Sequence, residues 1–346
     1  MRVLVTGAAG RVGANVVRRL VEADVAVTAM VLPGDRQAAK LAPLTGVRVI
    51  EADLGDQAAV DAACAGATHI VHLAAQLVRG DTPVDRFYDI NAFGTLRLLE
   101  GALRTNGGIE RFVLASTDGT YRPGDPPAVP LREDAPQEPA DYYGTSKLLG
   151  EVILRNHAAQ FDIPYSMVRF ATVVSPEEAA GYFRLDSARA MLRRADLGRD
   201  SNIWQLFRGR PDLLPILDTA AGDAPPDAAV GLVGPDGHSW SLHMVDVRDA
   251  VQGVHLALTE PDALGGVFNI AAAEPTTWEH GAAVLAELFD VPKLSVAMPF
   301  DWRLEVTVDA ARERLGYQPR YDFRATVQEA RATASGVAAD FIPARV

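Results

Sequence analysis

Thr6-Gly7-Ala8-Ala9-Gly10-Arg11-Val12-Gly13 follows a short apolar run, Val3-Leu4-Val5, and leads into a helical pattern from Val12 to Glu22. That order of strand, glycine turn and helix constrains the fold more than any other stretch of the chain. Gly7 fits a tight turn, Gly10 a close approach to a pyrophosphate, and Gly13 close packing of helix on strand. The helix N-terminus then faces the phosphates. Glycine-rich loops are common by themselves; between a strand and a helix, these three predict a dinucleotide site.

The pattern repeats along the first half. Val25 to Val31, Val47 to Ile50, His69 to Leu73, Arg111 to Ala115 and Tyr165 to Phe170 read as further strands, with helices between them, notably Asp89 to Arg104 and Tyr143 to Gln160. Such alternation predicts an α/β fold, a Rossmann-type doubly wound parallel sheet. Beyond Pro176 the pattern loosens, and Pro211 to Gly237 reads as loops or a mobile lid. Order returns with a helix at Val245 to Leu258, a strand at Val267 to Ile270 and helix from Val308 to Ala334. The expected division is a dinucleotide-binding domain over 1–175, with 241–273 returning to it, and a smaller substrate lobe from 176–240 and 274–346. Substrate is expected between them, beyond the carboxyl ends of the strands.

With 33 basic and 45 acidic residues the 346-residue chain carries a net charge of −12, which disfavours nucleic acid or an anionic membrane as partner. No apolar run approaches the ~18 residues of a membrane span. One cysteine, Cys64, excludes an internal disulfide, and the cytoplasm is the expected compartment. The seven histidines show no paired ligand spacing, so no metal is expected.

Tyr143 and Lys147 lie four residues apart and share one face of a helix. An ammonium there favours the tyrosinate, and bringing a tyrosine from its ordinary pKa to ~7 takes roughly 4 kcal/mol of differential stabilisation. A third group to orient a substrate oxygen is expected in Ser116-Thr117-Asp118-Gly119-Thr120-Tyr121, after the fifth strand. The carboxylate that binds an adenosine ribose at the end of the second strand is missing: Val31 stands there and Leu32 follows. Asp35, Arg36 and Arg11 are the nearest charges, and the choice between NAD and NADP stays open.

With Asp53-Leu54, His72-Leu73-Ala74-Ala75, Asn91 with Gly94-Thr95, and the ending Leu315-Gly316-Tyr317-Gln318-Pro319, these motifs run in order through most of the chain. The chain resembles the extended short-chain dehydrogenase/reductase family, also called the NAD-dependent epimerase/dehydratase family. The resemblance implies Tyr143 as general acid/base, Lys147 as its tuner and ribose anchor, and Thr117 as the hydroxyl that orients substrate. It implies a cofactor trough from Gly7, Ala9, Gly10, Arg11, Val12, Gly13, Asp53, Leu54, Leu73, Ala74, Ala75 and Asn91, with Tyr143 and Lys147. It slightly favours NAD, and it implies a homodimer joined through helices near Leu96 and Leu148.

Three departures bear on substrate. Arg169-Phe170-Ala171-Thr172 lacks the family's Asn, and Thr172 stands in its place. Trp240-Ser241-Leu242-His243 lacks the arginine usually offered to a diphosphate. Thr117-Asp118-Gly119 lacks the second acid of sugar dehydratases. The expectation is therefore an NAD(P)-dependent oxidoreductase acting on a secondary alcohol or ketone of a small sugar-like or polyol substrate. The alternative is a sugar or nucleotide-sugar epimerase with tightly held NAD; a dehydratase or a non-catalytic dinucleotide sensor fits less well. Ser116, Asp118, Thr172, Arg208, Arg210 and His243 are the substrate-contact candidates.

Overall fold

The computed structural model describes residues 1–77, 82–122, 124, 129–201 and 203–345. Its centre is a parallel sheet of seven strands: β1 (Arg2–Thr6), β2 (Ala26–Val31), β3 (Arg48–Glu51), β4 (His69–His72), β5 (Arg111–Thr117), β6 (Tyr165–Phe170) and β7 (Val267–Ile270). Their spatial order is β7-β6-β5-β4-β1-β2-β3. The order reverses between β1 and β4, which opens the crevice where open α/β sheets take ligands.

Strands buried on both faces explain why β5 is inaccessible along its whole length. On one face, α1 (Arg11–Glu22) and the Val247–Thr259 helix pack against a core that includes Val5, Val113, Val168 and Ile270. On the other, α2 (Gln57–Cys64) and the Gly94–Asn106 and Tyr142–Phe161 helices enclose Leu4, Ile70, Leu98, Leu114 and Met167. The Gly94–Asn106 helix is preceded by a wider π turn at Tyr88–Phe93 that carries Asn91.

The second half returns to this sheet, since β7 extends it beside β6. Val245 and Asp246, expected to open a helix, instead belong to a short strand, Met244–Asp246, parallel to Thr172–Val174, and the helix begins at Val247. The Val308 to Ala334 stretch is two helices, Asp309–Leu315 and Phe323–Ala334, broken at Gly316, whose φ is +67°.

The remaining residues build a second core around Phe183, which meets Trp278 and Phe323 edge-on at centroid distances of 5.1 and 5.0 Å. Pro211 to Gly237 is not a loop or lid as expected. It contains the Leu214–Ala221 helix and the Ala229–Val233 strand, which pairs in parallel with Lys293–Ala297 and is almost wholly buried. The turn-forming residues around that five-residue apolar run conceal a core strand.

Candidate active site

The dinucleotide cradle is built as the glycines require. Gly7 has φ +65°, and a Cβ there would lie 2.7 Å from the Ala74 amide nitrogen. At Gly13 a Cβ would lie 2.1 Å from the Gly7 carbonyl oxygen. Gly10 provides no side-chain cap to α1, so the first amides of the helix remain available to an anion. The residues present therefore fit a pyrophosphate. Ala9 is buried, while Leu73, Ala74 and Ala75 are half-buried at the end of β4, with the Ala74 amide donating to Thr6 Oγ1 at 3.1 Å.

Four of the expected cofactor contacts have other partners. Arg11 donates to Glu178 at 2.6 Å and to the Val173 carbonyl at 2.8 Å, so its guanidinium ties the glycine turn to the short Pro176–Ala179 helix rather than waiting for a phosphate. Asp53 accepts from Arg86 at 2.9 Å and from the Gly55 amide at 2.8 Å. Leu54 is buried against the Gly94 position. Asn91 accepts from the Gln76 amide, donates to the Gln76 carbonyl and donates to Ser146 Oγ, pinning the segment after β4 to the long helix.

That helix, Tyr142–Phe161, starts where Asp141 accepts from the Gly144 amide at 2.6 Å. A Cβ on Gly144 would lie 2.2 Å from the Gly119 carbonyl oxygen. Only glycine lets the helix approach the turn after β5 this closely, and that approach brings Tyr143 to Thr117. The Thr117 hydroxyl lies beside the phenol and favours its ionised form, but burial pushes the Tyr143 pKa up, and the carboxyls of Asp118 and Asp141 push it further. In this state the site holds the phenol protonated. Lys147, one turn on and buried, is lowered to about 8 by burial against the opposing charge of Glu151.

Asp118 is buried beside this pair. Its Oδ1 accepts from Thr117 at 3.2 Å, whereas its Oδ2 has no hydrogen-bond partner among the described residues. Burial raises its pKa from 3.8 to about 7. From about pH 4 to 7 the native protein therefore keeps a proton that the unfolded chain has lost, and stability falls as pH rises through that window, by at most roughly 4 kcal/mol. Asp118→Asn is expected to flatten this dependence and to raise the melting temperature at pH 8 more than at pH 5. Equal shifts at both pH values would contradict it. The acid limb of the pH–rate profile should move to lower pH, because the phenolate loses a repulsive neighbour.

The other substrate candidates divide. Ser116 points to the opposite side of β5 and donates to Glu151 at 2.6 Å, so it is part of the framework. His243 is a correction: its Nε2 donates to the Ala272 carbonyl at 3.0 Å and its Nδ1 accepts from the Val306 amide at 3.2 Å. Burial lowers it to about 4, and the neutral ring has no nitrogen left for substrate. Arg208 is exposed, and Arg210 lies over the Phe300 ring at 3.7 Å. Thr172 lies within hydrogen-bonding influence of Tyr182, which also feels the charge of Asp118.

Tyr182, Asp141, Glu151 and Arg169 were not among the sequence candidates. Glu151 extends the series Tyr143, Lys147, Glu151 at steps of four, a signal that was readable. Among the described residues no group of three or more His, Cys, Asp or Glu is arranged to hold a metal, and no helix is long and apolar enough to cross a membrane.

Fold, glycine cradle and Tyr-Lys helix together define an enzyme of the extended short-chain dehydrogenase/reductase type. A family model described as the NAD dependent epimerase/dehydratase family matches residues 3–271, and the chain belongs to that family. A UDP-glucose 4-epimerase of Corynebacterium glutamicum is 26% identical, with 97% of each chain covered. One from Azospirillum brasilense is 35% identical over 184 residues, and there the match spans about half, 51%, of that relative. A short-chain dehydrogenase/reductase superfamily protein from Agrobacterium tumefaciens, crystallised with bound NAD, superimposes with a TM-score of 0.82 at 28% identity, covering 97% of this chain and 98% of that one.

Proposed function

We propose that this chain is an NAD-dependent epimerase of a sugar-class substrate. The observation that carries the reading is the approach of Tyr143 to Thr117 beside the glycine cradle, with Lys147 buried one turn on. Bound NAD supplies a hydride acceptor that can later return the hydride to the opposite face of the carbonyl carbon. Thr117 holds the substrate oxygen by hydrogen bond. Tyr143, as the phenolate that bound NAD and Lys147 would favour, takes the hydroxyl proton as oxidation begins and gives it back as reduction ends, so it finishes as the phenolate it started as. Lys147 offers positive charge to the phenolate and its three donors to ribose oxygens.

The relatives named as UDP-glucose 4-epimerases move the reading from the net oxidoreductase favoured by the sequence to its epimerase alternative. A second reading, net oxidation of a small sugar or polyol, has one observation behind it. His243 has both nitrogens committed within the protein at the segment where the family offers an arginine to a diphosphate. Released dinucleotide, reduced-nicotinamide absorbance and NMR of the sugar distinguish the readings, using UDP-glucose and unsubstituted sugars in parallel. Isomerisation with no accumulating NADH supports the epimerase; stoichiometric NADH with oxidised product overturns it.

The same reading includes a homodimer through the Gly94–Asn106 and Tyr142–Phe161 helices. Phe93, Leu149 and Val152 are exposed on or beside these adjoining helices at 51%, 40% and 39%. A second copy burying them would gain roughly 25 cal/mol per Å² of apolar surface. Leu149→Arg is expected to shift the protein to a monomer in light scattering at micromolar concentration, with its melting temperature in dilute solution little changed. A wild-type protein already monomeric there would refute the dimer.

A further inference from the structure

The end of β2 offers no acid to an adenosine ribose, yet a carboxylate occupies that neighbourhood from the next strand. Val31 and Glu51 are direct partners in the parallel β2–β3 ladder. Partners in a parallel ladder project from the same face, about 4.8 Å apart. The exposed Glu51 side chain turns back across that gap, and its Oε1 accepts from the Gly34 amide at 3.3 Å, in the turn that follows β2.

We propose that Glu51 is the ribose-binding acid of this chain and makes it select NAD over NADP. The inference rests on the dinucleotide reading above. Its Oε2 and the solvent-facing side of Oε1 are acceptors for the 2′- and 3′-hydroxyls, which donate. A 2′-phosphate at the same place would bring up to two negative charges against a carboxylate.

The surroundings reinforce the discrimination. Leu32, beside the position, is apolar and 53% exposed. Asp35 adds a second negative charge in the same turn, its side chain capping the Gln37 amide at 2.9 Å. Two cations that could have balanced a phosphate are used elsewhere: Arg11 is held by Glu178, and Lys40 donates to the Ala344 carbonyl at 2.8 Å. Arg36 is the remaining basic group of the turn, and it faces solvent.

The test is calorimetric titration of the full chain, freed of co-purified dinucleotide, with NAD⁺ and NADP⁺ separately. Wild type is expected to bind NAD⁺ at least tenfold more tightly. Glu51→Gln, at an exposed position that leaves the core intact, is expected to weaken NAD⁺ roughly tenfold, the scale of a hydrogen bond to a charged group, and to narrow the preference. Glu51→Arg should invert it. An unchanged ratio in Glu51→Gln, a ratio moved only by Asp35→Asn, or tighter NADP⁺ binding by wild type overturns the assignment. Binding of neither dinucleotide by wild type would instead overturn the dinucleotide reading on which it stands.

Discussion

Tyr143→Phe is expected to lower kcat by about 10² to 10⁴-fold while dinucleotide affinity changes little. The phenylalanine keeps the ring's packing and removes only the oxygen that, on the proposed reading, exchanges a proton with substrate. Asp118 is a neighbouring proton carrier, but its carboxyl stands in the turn directly after β5, where it accepts from Thr117 at 3.2 Å, and it does not take Tyr143's place on the helix. The phenol must also be activated by what binds. Burial, Asp118 and Asp141 all hold it protonated in the state described here, with Thr117 opposing. A positively charged nicotinamide, when bound, would shift the balance towards phenolate, and a proton on Asp118 does the same, which makes Tyr143 and Asp118 a coupled pair. Residual activity of Tyr143→Phe should therefore lack the acid limb and be nearly independent of pH, whereas Asp118→Asn keeps that limb and moves it to lower pH. Steady-state rates from pH 5 to 9, alongside NAD⁺ titration, check both. Activity of Tyr143→Phe within threefold of wild type would remove the assigned acid/base.

The sequence revealed the sheet well because parallel strands buried on both faces are short apolar runs between helical patterns, and their signals are local. β6 and β7 have the expected limits, and the helix bearing Tyr143 and Lys147 extends only one residue further at each end. The second core was hidden for a related reason. Ala229–Val233 has no alternation to read, and its partner Lys293–Ala297 comes some sixty residues later, so its identity as a core strand exists only in tertiary contact. The site followed the same rule. Tyr143, Lys147 and the glycines follow from spacing, but the commitments of Arg11 to Glu178 and of His243 to Ala272 and Val306 link distant segments. A histidine at a ligand-facing register and one satisfied by two backbone groups look identical in a sequence.

Arg169→Met is expected to destabilise the protein by about 3–5 kcal/mol, because it leaves Glu151 charged and buried without its main partner. Both side chains are essentially inaccessible. Arg169 donates through Nε and NH2 to the two carboxylate oxygens at 2.9 and 2.7 Å, and its NH1 reaches the Tyr121 hydroxyl and the Glu133 carbonyl at 2.8 and 2.9 Å. Burial alone would raise the Glu151 pKa, but the hydrogen bonds and charge of Arg169 hold it below its ordinary value. Such a carboxylate contributes stability above the unfolded pKa and loses it as pH falls, so the mutant's deficit should be largest at neutral pH and shrink in acid. The pair is also tied to the candidate site: Ser116, next to Thr117, donates to the same carboxylate, which sits one turn beyond Lys147. Arg169→Lys keeps the charge but cannot reproduce the fork to Glu151 together with the bonds to Tyr121 and Glu133, and it should fall between wild type and Arg169→Met. Arg169→Met with Glu151→Leu should recover part of the loss, since removing both charges removes the unpaired one. Denaturant unfolding of the three variants at pH 7 and pH 5 measures this directly. Full stability in Arg169→Met would mean that water reaches Glu151, contrary to the burial that defines the pair.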